Sequence, residues 1–337
     1  MKNTESPGCQ SVFRTEAWVQ AWIDTWGKDP RIQLIDLGGR KHPLEQVYLI
    51  KHRLKKLLPV NTLCLAGVGF GAMSTPRAEY NDLGSLITMA GGIEPLQQEL
   101  RKLKWQQFII TDIDTTTTAC EEVEQLAVAG GWRTHIEKNE FAYAICDIDF
   151  QKYLASLGSN TRLTYFNRRS RLAQHGEISF REYQPNQAGE FFKQLNTFHL
   201  QRWGKPCYSP ESQSFMQNFI ERLTSIGGKA IMQAIVVNGE IISVLFDICW
   251  KQTRYNFQSG YAESRFPKIS LGAIHFGYAI QASLEDGLSY DFMAGRGKQA
   301  NYKESIANRK ITIKTFLIER NMLKSLRRLS VGISELM

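Results

Sequence analysis

No two of the six cysteines, at positions 9, 64, 120, 146, 207 and 249, stand close enough in sequence to form a CxxC pair. That spacing excludes zinc-ribbon and dithiol signatures and implies no metal. Cys64, Cys146 and Cys249 lie inside apolar strand-like runs, so the set reads as reduced, mostly buried thiols. No stretch approaches the roughly 18 apolar residues of a membrane helix. The opening residues MKNTESPGCQ lack the apolar centre of a secretory signal. These absences lead us to expect a soluble, cytoplasmic protein with no membrane span, serving any envelope product from the inner side. No zinc-finger or other nucleic-acid signature accompanies the basic residues, so nucleic acid is not expected as the ordinary partner.

What is present is an ordinary globular composition: 43% hydrophobic and 22% charged residues over 337 positions. That length suggests about two domains. Lysine and arginine number 41 against 33 acids, a net charge of +8. The excess is uneven. Residues 162–171 carry Arg162, Arg168, Arg169 and Arg171 with no acid, and the tail 320–328 is also basic. A solvated linker helix is the plain reading of the first; a surface for an anionic sugar-linked or tRNA substrate is the sharper one.

Trp18, Trp22 and Trp26 recur every four residues, predicting one face of a helix over 15–27. Strands are expected at 31–37, 46–51 and 63–70, a helix at 94–104, a strand at 106–111, a helix at 119–129, and strands near 132–136 and 141–147. A basic helical stretch, 150–175, holds the junction near residue 155. The second half then reads as strand 177–183, helices 186–203 and 210–226, strands 229–237, 241–250 and 253–260, helix 270–286, strand 288–293, a short helical segment at 299–306, and strand 311–319. Asn238-Gly239 marks a hairpin. The two halves share an element order without a sequence repeat. The expected class is α/β (α+β): two tandem domains, 1–155 and 156–337, each a mixed, mainly antiparallel sheet flanked by helices.

The most informative stretch is 254–306. A strand ends at Gly260, a basic turn with Arg265 and Lys268 follows, and a helix opens at Ser270-Leu271-Gly272. A first helical turn exposing backbone N–H groups is an anion site, and Gly272 permits close approach of a phosphate. The plainer reading is an ordinary helix with Ser270 as N-cap. His199 reads either as a general base near neutral pH or as a packed histidine. Arg202 and Trp203 contact an acceptor or pack against the core, and Asp82 binds an acceptor or forms a turn.

Several segments carry a family resemblance. They are Phe13 through Gly27, Tyr80-Asn81-Asp82-Leu83, Arg162 through Arg171, Phe198-His199-Leu200-Gln201-Arg202-Trp203-Gly204, Gln258-Ser259-Gly260-Tyr261, Ser270-Leu271-Gly272, Asp291-Phe292, Gly295 and Tyr302-Lys303. In this order the second half resembles the acetyltransferase domain of the GNAT superfamily. More narrowly it resembles the BcsL or CelD-like branch of cellulose and exopolysaccharide biosynthesis, related to Fem-type peptidoglycan aminoacyl transferases. The turn Arg265-Phe266-Pro267-Lys268-Ile269-Ser270-Leu271-Gly272 departs from the family's QxxGxG or RxxGxG loop by supplying one glycine instead of two.

The resemblance implies an N-acyltransferase with acetyl-CoA or another acyl-CoA as co-substrate and an amino group on a sugar or amino-acid acceptor. Polysaccharide biosynthesis proteins are its implied partners. Ser259, Gly260, Tyr261, Arg265, Lys268, Ser270, Leu271 and Gly272 are the implied cofactor residues, with backbone near Ser259–Tyr261 facing the developing oxyanion. Lys303, Tyr302 and His199 are the implied catalytic residues, Lys303 as a charge stabiliser instead of a solvated surface lysine. Asp82, Arg202, Trp203, Gln258 and Asp291 are the implied acceptor residues, although Asp291 also reads as a cap on the glycine turn. Two alternatives stand: a Fem-like transferase using aminoacyl-tRNA, or a degenerate binding subunit of a polysaccharide assembly.

Overall fold

The tryptophan stripe forms the helix its spacing predicts. In the computed structural model, which describes residues 11–54, 58–71, 73–263, 265–295 and 302–320, helix α1 spans Glu16–Trp26 and starts where the Thr15 hydroxyl accepts the Trp18 N–H. Trp18, Trp22 and Trp26 are all buried, and Trp22 stacks on Tyr48 at 5.0 Å. The stripe is core.

The chain divides into two compact units: residues up to Glu140 together with those from Thr312 onward, and residues 141–311. In the first unit β1 (Ile32–Asp36), β2 (Gln46–Leu54) and β3 (Leu58–Leu65) form an antiparallel meander. Helices α2 (Gly84–Ala90) and α3 (Ile93–Lys102) lead to β4 (Gln107–Asp114), which runs parallel to β3 over three residue pairs only, Thr62↔Gln107 to Cys64↔Ile109. Helix α4 (Ala119–Gly130) follows, and β5 (Arg133–Ile145) carries the chain out of the unit. The antiparallel neighbour of β4 is the end of the last strand, β11 (Arg309–Glu319).

The second unit repeats this logic. After α5 (Phe150–Ser156), α6 (Ser159–Arg162) and α7 (Arg169–Ala173), strands β6 (Ile178–Tyr183), β7 (Lys229–Val237), β8 (Glu240–Trp250) and β9 (Thr253–Tyr261) form an antiparallel meander. Helices α8 (Ala188–Trp203) and α9 (Pro210–Ser225) interrupt it after β6, and α10 (Leu271–Glu285) follows β9. Then β10 (Ser289–Ala294) runs parallel to β9, again over three pairs, Ser289↔Thr253 to Asp291↔Tyr255. Its antiparallel neighbour is the end of β5. Each half of the sequence therefore supplies a strand to the unit of the other half.

The mixed α/β class, with a mostly antiparallel sheet flanked by helices, is as expected. The unit boundaries are not near residue 155. They fall inside β5 and β11, because those strands' hydrogen-bond partners, not local sequence, decide where they belong. The two strands expected near 132–136 and 141–147 are one strand, and α2 was not expected. The basic stretch 150–175 breaks into α5, α6, a single π-helical turn over Leu163–Asn167, and α7. Of the tail 320–328, only Arg320 is among the described residues, as is true of Gly295 in the glycine-rich turn.

Helix α10 is apolar nearly all round, and its residues from Leu271 to Gly277 are all buried. A helix of that pattern belongs inside, not on a surface. An alanine Cβ at Gly277 would lie 2.0 Å from the Tyr165 carbonyl oxygen of the π-helical turn, so glycine lets the two backbones touch.

Candidate active site

A buried polar knot decides where β9 and β10 part. Arg254 and Tyr290 are paired residues of the parallel junction. Both bond Asp247 of β8: Arg254 Nε at 2.6 Å and the Tyr290 hydroxyl at 3.2 Å. Asn256 Nδ2 adds a third bond at 2.8 Å. Asp247 is fully buried and Arg254 nearly so. Breaking such a pair leaves an uncompensated charge, which fixes the register here. Beyond Tyr255 the parallel pairing stops while β9 continues to Tyr261. Tyr255 through Ser259 are half-buried in an unbroken row. A strand covered on one face would alternate; along this stretch β9 no longer has β10 as a ladder partner.

Side chains meet the freed backbone. His199 Nε2 lies 3.0 Å from the Ser259 carbonyl oxygen, and the Gln258 side-chain oxygen accepts the Ser259 N–H at 3.1 Å. A carbonyl only accepts, so Nε2 carries the proton and Nδ1 the lone pair. Burial holds the imidazole below its ordinary pKa; Arg202 pushes the same way, and the Ser259 carbonyl partly offsets both. His199 is thus a neutral imidazole held in one orientation against β9. Gly260 packs closely: a Cβ there would come within 3.1 Å of Phe198 and Leu195 of α8.

The helix mouth differs from the expectation in two respects. Ser270 occupies the N-cap position, but its side chain makes no capping hydrogen bond, so the plain capped-helix reading does not hold. Gly272 is close-packed, yet by Tyr261: a Cβ would sit 2.5 Å from that ring. Its lack of a side chain admits a tyrosine. Leu271 is buried in the core. Lys268 is exposed, with φ +66°, in the turn before the helix. Arg265 is exposed and pairs with the equally exposed Glu240 of the β7–β8 hairpin.

Lys303 is neither solvated nor free to meet a substrate. It is buried, and its ammonium donates to the carbonyls of Phe292, Met293 and Ala294 at 2.8, 3.0 and 2.9 Å. Those three bonds use all its protons, so the geometry corrects the charge-stabiliser reading. Asp291 is likewise structural: its Oδ1 accepts the Met293 N–H at 2.6 Å, and Met293 takes φ +58°. Together they form the irregularity that bends β10 away from its neighbours. Asp82 lies in the first unit, where it accepts the Gly84 N–H at 2.9 Å and faces buried Arg14.

Tyr302 does join the site. Burial, with Tyr261 nearby, pushes its phenol up to about 12, while Arg202 pulls the other way. The Arg202 guanidinium lies 4.7 Å from the Tyr261 ring centre and 5.1 Å from that of Trp203, which is 43% exposed. Sequence reasoning missed Tyr165 and Glu263, which complete this cluster. It also missed His275, buried on α10 with Nδ1 2.8 Å from Ser243 Oγ. Apolar neighbours concealed His275, and nothing in a linear spacing could have joined residue 165 to 302.

Residues 159–304 match the family model described as acetyltransferase (GNAT) domain. That interval lies within the second unit. No curated protein matches significantly. Among solved structures, FemX aligns with a TM-score of 0.55 at 11% identity, covering 96% of this chain and 98% of its own. A conserved protein of unknown function from Bacteroides thetaiotaomicron gives 0.53 at 12%, covering 92% and 91%. The C-terminal domain of a putative lysylphosphatidylglycerol synthetase from Agrobacterium fabrum gives 0.52 at 8%, covering 95% and 97%. At these identities the likeness is one of fold. Among the described residues no helix is long and apolar enough to cross a membrane.

Proposed function

We propose that the chain is an N-acyltransferase that moves an acyl group from an acyl-CoA to an amino group on a sugar or amino-acid acceptor. The observation that carries this is the parting of β9 from β10 after Tyr255↔Asp291, with His199 fixed on the Ser259 carbonyl at the opening. A thioester laid along β9 would follow the stretch that β10 no longer pairs. Its diphosphate would lie toward the uncapped first turn of α10 and Lys268.

In the step, the acceptor nitrogen attacks the thioester carbonyl carbon. The C–N bond forms, the C–S bond breaks, and the sulfur departs as the cofactor's thiol. His199 Nδ1 takes the proton that the attacking nitrogen sheds, a role for which a depressed pKa keeps it ready at neutral pH. A neutral tyrosine hydroxyl, Tyr302, is available to return a proton to the leaving sulfur. A place in exopolysaccharide synthesis, cytoplasmic action and the polysaccharide partners rest on the BcsL/CelD-like resemblance. An aminoacyl-tRNA donor is the second reading, favoured by the one-glycine turn.

Titration with a panel of acyl-CoAs by calorimetry tests the proposal, together with mass spectrometry of ligands retained on purification. Ser270→Asp sharpens it. A carboxylate at the N-cap supplies the missing cap and raises stability by about 0.5–1 kcal/mol. The same charge repels a diphosphate and weakens acyl-CoA binding by about tenfold. A variant that binds acyl-CoA as well as the wild type does removes the diphosphate from α10. A wild type that binds no acyl-CoA removes the proposal.

A further inference from the structure

The group in the site with the least satisfied chemistry is Arg202. It leaves α8 in its last turn. Its guanidinium is held between the Trp203 and Tyr261 rings, and its side chain is 22% exposed. Its Nε is buried without a hydrogen bond. The acid facing it, Glu263, stands 3.5 Å away and is half exposed. That contact is too long and too wet to neutralise a guanidinium. Tyr261, Tyr302 and Tyr165 gather around the same point. Burial raises each phenol, so all three keep their O–H donors through the neutral range. His199 is one turn back on the same helix.

We propose that Arg202, framed by Tyr261, Tyr302 and Trp203, binds a carboxylate of the acceptor, which makes the acceptor an amino acid or a peptide-like amine instead of a neutral amino sugar. This rests on the acyltransferase reading and narrows its acceptor. A planar guanidinium matches a carboxylate in a two-point bond, and aromatic faces hold it flat for that purpose. A single guanidinium beside Glu263 suits a singly charged group better than a phosphate dianion. Glu263 can swing into solvent as the ligand enters. Binding there sets the acceptor's amine on the side of the ring cluster where His199 waits.

Two measurements test this. The wild type and Arg202→Gln are titrated calorimetrically, with no donor, against amino acids (alanine, lysine, glutamate) and the matching carboxamides. The same compounds and glucosamine then compete as acceptors of acetyl-CoA, with products read by mass spectrometry. The wild type should favour carboxylates over carboxamides by about tenfold to hundredfold, the range of one charged hydrogen-bonded contact. Arg202→Gln should lose that preference, while Arg202→Lys should regain part of it. Absence of a carboxylate preference in the wild type, in binding and in turnover, overturns the inference. So does an Arg202→Gln variant that keeps the preference but binds acyl-CoA weakly, which would assign the guanidinium to the donor's phosphates. A carboxylate preference in a protein that binds no acyl-CoA would instead sink the acyltransferase reading alone.

Discussion

The two units both join an antiparallel meander to one parallel strand, and they differ at the strand end beyond that junction. In the second unit β9 leaves the junction half-exposed from Tyr255 to Ser259. In the first unit the corresponding stretch of β3 and beyond, Thr62 to Val68, is buried throughout. Buried side chains fill the position. Arg14 Nη1 donates to the Ala66 carbonyl at 2.9 Å, Trp18 Nε1 to that of Gly67 at 2.7 Å, and the Tyr48 hydroxyl to that of Val68 at 2.8 Å. A groove does open in the first unit between α3 and α4, but Glu94, Glu121 and Glu124 line it. That is the wrong sign for a polyphosphate. One fold thus gives a sealed copy and an open one, and the difference lies in what the freed backbone groups meet: large buried donors, or a histidine at the edge of solvent. The tryptophan helix, which carries part of the family resemblance, is what seals the first copy.

The comparison breaks most sharply at His199. Replacing it by alanine removes the base and the Ser259 contact, and turnover should fall by about 10²- to 10⁴-fold. In the wild type, kcat/KM should decline in acid with an apparent pKa below the ordinary histidine value of about 6.5. A rate that survives the substitution would leave the open strand without its chemistry. Next come the two buried cations. Arg14→Met and Lys303→Met each strand buried carbonyls and should cost about 2–4 kcal/mol in denaturant unfolding. If the first unit is truly sealed, Arg14→Met leaves acyl-CoA affinity alone, whereas Lys303→Met, which loosens the bend of β10, weakens it. Equal effects on binding would erase the distinction between the units.

The last test concerns acid stability. Burial, aided by Arg254, holds His275 down to about 3. The unfolded chain therefore binds a proton that the folded chain refuses between pH 6.5 and 3. Stability is complete above that window and falls as pH drops through it, by at most about 1.4 kcal/mol per pH unit. His275→Gln keeps a partner for Ser243 and should flatten that acid limb. An unchanged limb would mean that His275 protonates in place.

Much of the fold was legible because period and turn chemistry are local. The tryptophan spacing gave α1, Asn238-Gly239 gave the β7–β8 hairpin, and the apolar run 271–285 gave α10 within a residue at either end. The site was legible in part. His199, Gln258, Ser259, Tyr261, Tyr302, Arg202 and Trp203 lie near one another. Lys303, Asp291, Arg265 and Gly272 each have the residue type that chemistry needs, and each meets a protein partner that sequence does not reveal.

By itself, then, the sequence determined the elements, their order and the residue types at the strand end before α10, since these depend on neighbours a few positions apart. Only the tertiary structure decided which unit β5 and β11 complete, which strand end stays open, and which cations are already satisfied. Those outcomes turn on hydrogen bonds between residues as far apart as Arg14 and Ala66 or Gln107 and Glu319, and a polar group's role is fixed by whether its partner is protein or is left for a ligand.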